Sequence, residues 1–310
     1  MFKRNRKNIF ICFILLIQLA MFYCYIYGDV LITAMHGMNF WDCLFSGNIK
    51  DFYKLNLDAK LVAGYYEGEY SAAYDFLIYI IFAIWNFPLW ICRKFWGVEY
   101  PLNSFLGIMW AKSIVILFYV LTMVVLQKIL KKCSFNNKKL FIVLMTTSIF
   151  VSAYLGMVGQ YDIITIFFML LGIYYLICDR FLLFVLLFSI AIPTKVFALI
   201  AFVPILLLYE KRIIKVLGCL ILSMIPMLMF RVLIPMEPGE SNINVFGEFL
   251  FTNTIPLATY KASLFMIFYI TLMFFCFWKK RSDEKIQFTK EIIYITFLSY
   301  LIFFAFAVRR

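Results

Sequence analysis

The sequence predicts an all-α polytopic membrane protein, with about nine transmembrane helices and a long amphipathic first extracytoplasmic loop. Hydrophobic residues make up 65% of the 310 positions, and the mean hydropathy is +0.93. The apolar residues are gathered into runs, several of which approach the roughly 20 residues that a helix needs to cross a bilayer. Strongly basic connections separate some of these runs, and such connections are retained in the cytoplasm. We therefore expect residues 1–310 to form a single transmembrane domain.

The charge and cysteine content exclude other classes of protein. The net charge is +12, but the basic residues follow the expected cytoplasmic connections instead of clustering on one soluble surface, so no nucleic-acid partner is expected. The eight cysteines are scattered without a CxxC pair, which argues against a disulfide framework or a zinc site. His36 is the only histidine, so a histidine metal cluster cannot form.

The first span is predicted at residues 9–27, which carry no charge. Lys3, Arg4, Arg6 and Lys7 precede it and hold the N-terminus in the cytoplasm. The run is long and lacks a clear small-residue cleavage site, so it is interpreted as a retained anchor instead of a cleaved signal peptide.

The remaining spans follow from the apolar runs and from the charges between them. They are predicted near 104–127, 140–157, 163–178, 181–193, 196–209, 213–235, 262–278 and 292–308. The basic connections expected inside are 128–139, 210–215 and 279–290, and the connections expected outside are 156–162, 193–195 and 236–260. This alternation places the N-terminus inside and the C-terminus outside.

Residues 73–92 do not fit that alternation. If they crossed fully, the lysines of 128–139 would lie outside, against the positive-inside rule. We interpret the segment, which Asn86 and Pro88 interrupt, as a re-entrant or interfacial helix; an extra crossing is the alternative. The first outer loop then covers 28–103. Its amphipathic stretches suit helices that lie in the headgroup region; they are 40–45 and 51–57.

Ionisable and polar groups at membrane depth are costly, so each one suggests a function. Asp29 follows Gly28 at the outer end of the first span, where a solvated helix end is the simpler explanation. Gln160, Tyr161 and Asp162 open the span at 163–178. Capping of the helix N-terminus is sufficient to explain Asp162, but Gln160 and Tyr161 suggest contact with a polar substrate.

Three basic residues are expected at the same membrane face. Lys195 lies between two apolar runs, where a phosphate-binding lysine competes with a solvated turn lysine as the explanation. Arg309 and Arg310 follow the last span, where positive-inside logic disfavours them unless they meet an anionic partner. Lys112 and Arg231 also lie within apolar runs, and we assign them no role.

These residues resemble the GT-C superfamily of integral membrane glycosyltransferases, which take sugars from polyprenyl- or dolichyl-phosphate carriers. The resemblance covers about residues 8–235 and rests on the order of short, degenerate motifs. In chain order they are Gly28-Asp29 before a long outer loop, the Tyr-rich segment 74–79, Gly159-Gln160-Tyr161-Asp162, Ile192-Pro193-Thr194-Lys195 and the run 202–207. Residues 74–77 lack the paired prolines of the family. Residues 236–310 would form a further loop and helices, and the chain would be a fragment or a short member.

The resemblance implies a role for each candidate residue. Asp29 would be the catalytic base, and the loop of Gln160, Tyr161 and Asp162 would border the active site. Lys195 would lie near the lipid-phosphate leaving group, joined by Arg309 and Arg310. We expect these outer ends to meet in one polar chamber. The reaction would invert the anomeric centre of a sugar passed to a hydroxyl acceptor such as a glycan.

Other questions stay open at this point. A divalent metal could bridge Asp29 or Asp162 to the phosphate, although the sequence contains no dedicated metal cage.

A transporter or lipid flippase would distribute charges along a path and favour symmetric halves, whereas the charges here gather at one face. A noncatalytic component of envelope-glycan assembly is the other alternative. We expect a multi-pass protein of the cell membrane with an extracytoplasmic active site, surrounded by membrane lipids.

Overall fold

A computed structural model describes most of the chain, and its described residues are mostly helical. They are 12–13, 16–23, 25, 28–55, 57–58, 69–98, 100–135, 137–148, 160–236, 247–248, 250–257 and 260–307. The helices are α1 Leu16–Tyr23, α2 Gly28–Phe45, α3 Phe76–Trp85, α4 Phe87–Phe95, α5 Phe105–Lys132, α6 Lys138–Thr147, α7 Asp162–Ile177, α8 Phe181–Thr194, α9 Ala198–Tyr209, α10 Ile213–Leu233, α11 Leu264–Trp278 and α12 Lys285–Phe306. Short 3₁₀ helices occupy Ile49–Lys54 and Pro101–Asn103.

The architecture fits an all-α membrane protein. Within the described residues, α5, α10 and α12 are long and apolar enough to cross a membrane, and the number rises to five if each of two bent helix pairs is one span. The predicted nine crossings are not confirmed. The main reason is length, because α7, α8, α9 and α11 have only 12 to 16 residues, whereas a perpendicular crossing takes about 20.

Helix positions agree with the apolar runs but their ends differ. The sequence predicts spans at 181–193 and 213–235, and the helices are Phe181–Thr194 and Ile213–Leu233. By contrast, α5 continues to Lys132 and α12 begins at Lys285, inside connections predicted to be basic loops. Lysine is a good helix former and is favoured in a last turn, so these charges extend helices as well as separate them.

Two short antiparallel hairpins were not predicted. The first pairs β1 (Leu57–Asp58) with β2 (Glu69–Tyr70), and the second pairs β3 (Thr254–Leu257) with β4 (Tyr260–Ser263). The first lies in the connection 28–103, and the second begins in the connection 236–260 and ends at Ser263, inside the span predicted at 262–278. Alternation of apolar and polar residues over so few positions is too weak a signal to identify a strand.

The segment 73–92 is broken where the sequence predicts an interruption. Helices α3 and α4 meet at Asn86 and are bent by 68°. The Asn86 side chain is fully buried, and its amide nitrogen donates a 2.9 Å hydrogen bond to the Phe82 carbonyl, which also accepts the Asn86 backbone N–H at 2.8 Å. Pro88 follows in the first turn of α4, where a missing N–H costs nothing. The bend is that of a broken span or a re-entrant loop.

The chain divides into two compact units. The first contains Met1–Ala72, Ile78–Gln127 and Asn136–Ile164, and the second contains Ala73–Leu77, Lys128–Phe135 and Thr165–Arg310. In the first unit α2 packs closely against α3 at Gly37. A Cβ atom at this position would lie only 2.9 Å from the Ala83 nitrogen, so a larger residue would not fit without a shift. The Trp41 indole donates a 2.8 Å hydrogen bond to the Ala83 carbonyl and holds the two helices at this separation.

Lys112 is the most deeply buried charged side chain described in the first unit. It lies in α5 and is fully inaccessible to solvent. Its ammonium donates to the carbonyls of Phe22 and Tyr25 and lies 4.5 Å from the centre of the Phe22 ring. These carbonyls are at the end of α1, where intrahelical acceptors run out of partners. Lys112 therefore caps α1 just before α2 begins.

The second unit contains most of α7 and all of α8 to α12, and it has an aromatic core. Phe188 stacks on Phe202 with ring centres 4.8 Å apart, and both rings are fully buried. In the turn before α8, Asp179 accepts 2.8 Å bonds from Arg281 and Lys285. Hydrogen bonds from Lys285 and then Arg281 lower the pKa of the Asp179 carboxyl below its ordinary value.

We predict that Lys112→Met lowers the thermal unfolding temperature of the detergent-solubilised protein. The substitution removes the donor from two carbonyls at the end of α1, and a buried acceptor without a partner costs about 1–3 kcal/mol. Lys131→Met, at an exposed position of the same helix, is the matched control and should leave the unfolding temperature within error. Equal unfolding temperatures for wild type and Lys112→Met would show that Lys112 is not a cap.

Candidate functional site

Asp29 lies in the first turn of α2 and not at the end of the preceding helix. Its side chain is partly exposed. The positive end of the helix dipole favours a carboxylate at this position. One turn later, the fully buried Thr33 hydroxyl donates a 2.8 Å bond to the Asp29 carbonyl. The turn that presents Asp29 is thus held by a side chain as well as by the backbone.

The predicted loop at 160–162 belongs to the same unit and contacts this turn. The hydroxyl oxygens of Tyr161 and Thr33 are 3.4 Å apart. The Tyr161 ring is 1% exposed and packs edge-on against Phe82 at 5.3 Å. Gln160 and Asp162 on either side are partly exposed, and Asp162 begins α7. Tyr161 is therefore a packing residue that fixes the loop, whereas its two neighbours keep part of their surface accessible.

The first cluster is defined as Asp29, Thr33, Gln160, Tyr161 and Asp162. It joins two chain segments that lie 128 residues apart at the Thr33–Tyr161 contact. Both carboxylates are in the first turn of a helix, α2 or α7, where the free backbone amides and the helix dipole are favourable to a negative side chain. An ionised carboxylate can accept a proton, which is what a general base requires.

Lys195 belongs to the second unit and follows the last residue of α8. The predicted turn 193–195 begins later than expected, because Pro193 and Thr194 are helical. The Lys195 ammonium lies 4.4 Å from the centre of the Tyr74 ring. Contact with an aromatic face stabilises a cation without neutralising it. The lysine is partly exposed.

An ion pair next to Tyr74 was missed by the sequence analysis. The Nε of Arg231 donates a 2.7 Å bond to Asp75, and the two side chains are 26% and 6% exposed. The Nη2 atom of Arg231 is buried and has no hydrogen-bond partner among the described residues. We define Tyr74, Asp75, Lys195 and Arg231 as the second cluster. The sequence shows that Asp75 and Arg231 are charged residues next to or within apolar runs, which marks them as candidates. It does not indicate that the two side chains pair.

Two of the predicted phosphate-binding residues cannot be placed. Arg309 and Arg310 lie outside the described residues, as does Gly159 of the loop motif. Among the described residues, no group of three or more His, Cys, Asp or Glu side chains could hold a metal ion. Asp29 and Asp162 remain the predicted metal-bridging carboxylates.

Comparison of the chain with protein-family models, with curated proteins and with solved structures finds no match.

The Asp75–Arg231 pair gives a stability prediction. Arg231→Met should lower the free energy of unfolding by about 3–5 kcal/mol, because it leaves the Asp75 carboxylate buried without its partner. The double variant Asp75→Asn with Arg231→Met should recover most of that loss, since both charges are then removed. Thermal unfolding of the detergent-solubilised variants measures the effect. A double variant as unstable as Arg231→Met would show that the two charges do not interact.

Proposed function

We propose that the protein is a membrane glycosyltransferase of the GT-C type. It transfers a sugar from a polyprenyl-phosphate donor to a hydroxyl group of a glycan or similar acceptor, with inversion. The proposal rests on the residue motifs, and the observation that supports it best is the contact between Thr33 and Tyr161. This contact unites Asp29 with Gln160 and Asp162 in one cluster.

Asp29 is assigned as the general base. The acceptor hydroxyl gives its proton to the Asp29 carboxylate while its oxygen forms a bond to the anomeric carbon. The bond between that carbon and the phosphate oxygen breaks, and its electron pair leaves with the polyprenyl phosphate. The phosphate is already anionic, so departure requires no general acid. Gln160 and Asp162 can orient the sugar or acceptor by hydrogen bonds.

The lipid phosphate is assigned to cations, because they stabilise the charge that develops on the leaving oxygen. Lys195 is the first of these, with Arg309 and Arg310 retained from the sequence analysis. Arg231 is added because its Nη2 atom is a donor without a partner among the described side chains. Asp75 positions Arg231 and offsets part of its charge. If a divalent metal takes part, Asp29 or Asp162 would hold it, and it would supply further positive charge for the phosphate.

The proposal includes a membrane topology. We propose about nine crossings in the cell membrane, with the N-terminus cytoplasmic and the reaction at the extracytoplasmic face. This orientation is supported by the basic residues before the first span and in the connections 128–139, 210–215 and 279–290. Helices shorter than about 20 residues would have to be accommodated by local thinning of the bilayer.

The first functional prediction concerns Asp29. Asp29→Asn keeps the shape of the side chain but cannot accept the proton, so transfer should fall by about 10²–10⁴-fold. The assay uses purified protein in nanodiscs with polyprenyl-phosphate mannose, glucose, galactose or N-acetylglucosamine and a cell-envelope glycan extract, and it measures the release of polyprenyl phosphate.

The matched control is Asp283→Asn, which neutralises an exposed carboxylate of a connection in the other unit. It should leave release unchanged. Undiminished release by Asp29→Asn would reject Asp29 as the base. No release from any of the four donors by the wild type would reject the proposed function for this donor class.

The second functional prediction concerns Lys195. Lys195→Met should raise the KM for the lipid donor by about 10- to 100-fold, the effect of losing a hydrogen bond to a charged group. The KM for the acceptor should not change, because the lysine contacts only the donor. Lys261→Met, an exposed lysine of β4, is the control. A Lys195→Met enzyme with a wild-type donor KM would show that the lysine does not bind phosphate.

A further inference from the structure

The first unit contains a cleft that the proposed chemistry does not use. It has a volume of about 830 Å³, within the range of about 300–1,000 Å³ usual for small-molecule sites. It lies where the C-terminal end of α2, the 3₁₀ helix Ile49–Lys54 and the C-terminal half of α4 meet. The residues that matter for its chemistry are Asp42, Phe45, Asp51, Trp90, Arg93 and Lys94. We call it the α2–α4 cleft.

One wall of the α2–α4 cleft is the exposed ring of Phe45, which packs on a buried tryptophan. The Phe45 side chain is 67% exposed, although it is large and apolar. Its ring stacks on Trp90 at 5.2 Å, and Trp90 stacks in turn on Phe87 at 5.6 Å. Trp90 is buried and holds this stack in place. The Phe45 ring also stacks on Trp41 at 5.9 Å, so two indoles hold it in place while most of its surface stays exposed in the lining of the cleft.

The polar groups of the cleft are also held in place. The Asp42 carboxylate accepts a 2.9 Å bond from the Trp90 indole at one oxygen and a bond from Arg93 at the other. Arg93 donates a second bond, of 3.2 Å, to the Asn39 side chain. The Asp42 side chain is still 40% exposed. Each carboxylate oxygen has more than one acceptor position, so Asp42 can accept bonds from a ligand as well.

The charges of the lining indicate the ligand class. Asp42 and Asp51 supply two negative charges, Arg93 and Lys94 supply two positive charges, and each carboxylate already has a basic partner, Arg93 for Asp42 and Lys54 for Asp51. An anionic phosphate would meet two carboxylates, and a cation would meet two basic groups. A neutral ligand with several hydroxyl groups satisfies both kinds of group, because a hydroxyl donates to carboxylates and accepts from basic side chains. The C–H face of a sugar ring also complements the electron-rich face of Phe45.

We propose that the α2–α4 cleft binds a neutral saccharide, with one sugar ring stacked on Phe45 and its hydroxyls bonded to Asp42, Asp51 and Lys94. Where the proposed function holds, this saccharide is the acceptor glycan, and the cleft is its docking subsite. The binding itself requires neither the donor lipid nor Asp29 chemistry.

The test is saturation-transfer NMR on the full chain in phosphatidylcholine nanodiscs without donor lipid. The probes are neutral trisaccharides of glucose, galactose, mannose and N-acetylglucosamine. At least one should receive saturation at its ring C–H protons. Phe45→Ala should weaken its binding by about tenfold, the size of effect that an aromatic contact gives. Phe45→Trp keeps a stacking face and should retain binding, which separates loss of stacking from loss of folding.

The matched control is Phe105→Ala, which truncates a phenylalanine that is 62% exposed and lies outside the cleft. It should bind as the wild type does. Absence of saturation with all four probes, or equal binding by Phe45→Ala and Phe105→Ala, would overturn the assignment. Native mass spectrometry covers the lipid alternative: phosphatidylglycerol retained by the wild type and lost in Phe45→Ala would identify a headgroup site instead.

The proposed function and the saccharide subsite are rejected by different outcomes. Saccharide binding that depends on Phe45, without release of polyprenyl phosphate in the transfer assay, would reject only the proposed function. Release of polyprenyl phosphate without Phe45-dependent binding would reject only the subsite.

Discussion

The contact between the Lys112 ammonium and the carbonyl end of α1 is the interaction on which the first unit depends. An isolated cation in an apolar interior would be lost by neutralisation or would prevent folding. Here the cation and the unpaired carbonyls of a helix end satisfy each other. The helix can therefore stop at Tyr23 and restart at Gly28 in a new direction, with a bend of 64°. Asp29 occurs at that restart, at the positive end of the new helix.

The same constraint shapes the other polar groups. Thr33 returns its hydrogen bond to the Asp29 carbonyl and touches Tyr161, Asn86 closes the break between α3 and α4, and Asp75 is matched by Arg231. Each of these groups has a hydrogen-bond partner, as expected where water is excluded, but Asn86 Oδ1 and Arg231 Nη2 are buried without one among the described residues. The residues left partly exposed are the ones that chemistry can use. In the two clusters these include Asp29, Gln160, Asp162 and Lys195.

The sequence predicted the helices best where an apolar run ends at a charge or a turn. The run at 181–193 corresponds to α8 within one residue, because Arg180 and Lys195 bound it. The interruption at Asn86 was also predicted, from the amide and the nearby proline. Helix ends at lysine clusters were predicted poorly, since lysine both favours helix and marks cytoplasmic connections. The number of crossings depends on whether the helices that are too short for a perpendicular span cross the bilayer. Composition does not decide this.

The pairing of residues was beyond the sequence. Asp75 and Arg231 are separated by 156 positions, and local patterns carry no information about contacts at that distance. The sequence assigned Lys112 no role, and its partners are backbone carbonyls, which have no residue signature. The α2–α4 cleft was missed for a related reason: its wall is assembled from the ends of three helical elements, and each end alone reads as an amphipathic surface helix. Motif order, and not local chemistry, linked Asp29 with residues 160–162 in the sequence, and their shared role stays a prediction; Thr33, which contacts Tyr161, was not singled out.

Whether Asp29 and Gln160 share one side of the membrane is tested most directly by cysteine accessibility in intact cells. In a variant whose eight native cysteines are replaced by serine or alanine, Asp29→Cys and Gln160→Cys are labelled separately with a membrane-impermeant maleimide. Both positions should react from outside, at rates that permeabilisation does not raise. Reaction of position 29 from outside, with position 160 reactive only after permeabilisation, would contradict the shared cluster and the function proposed from it.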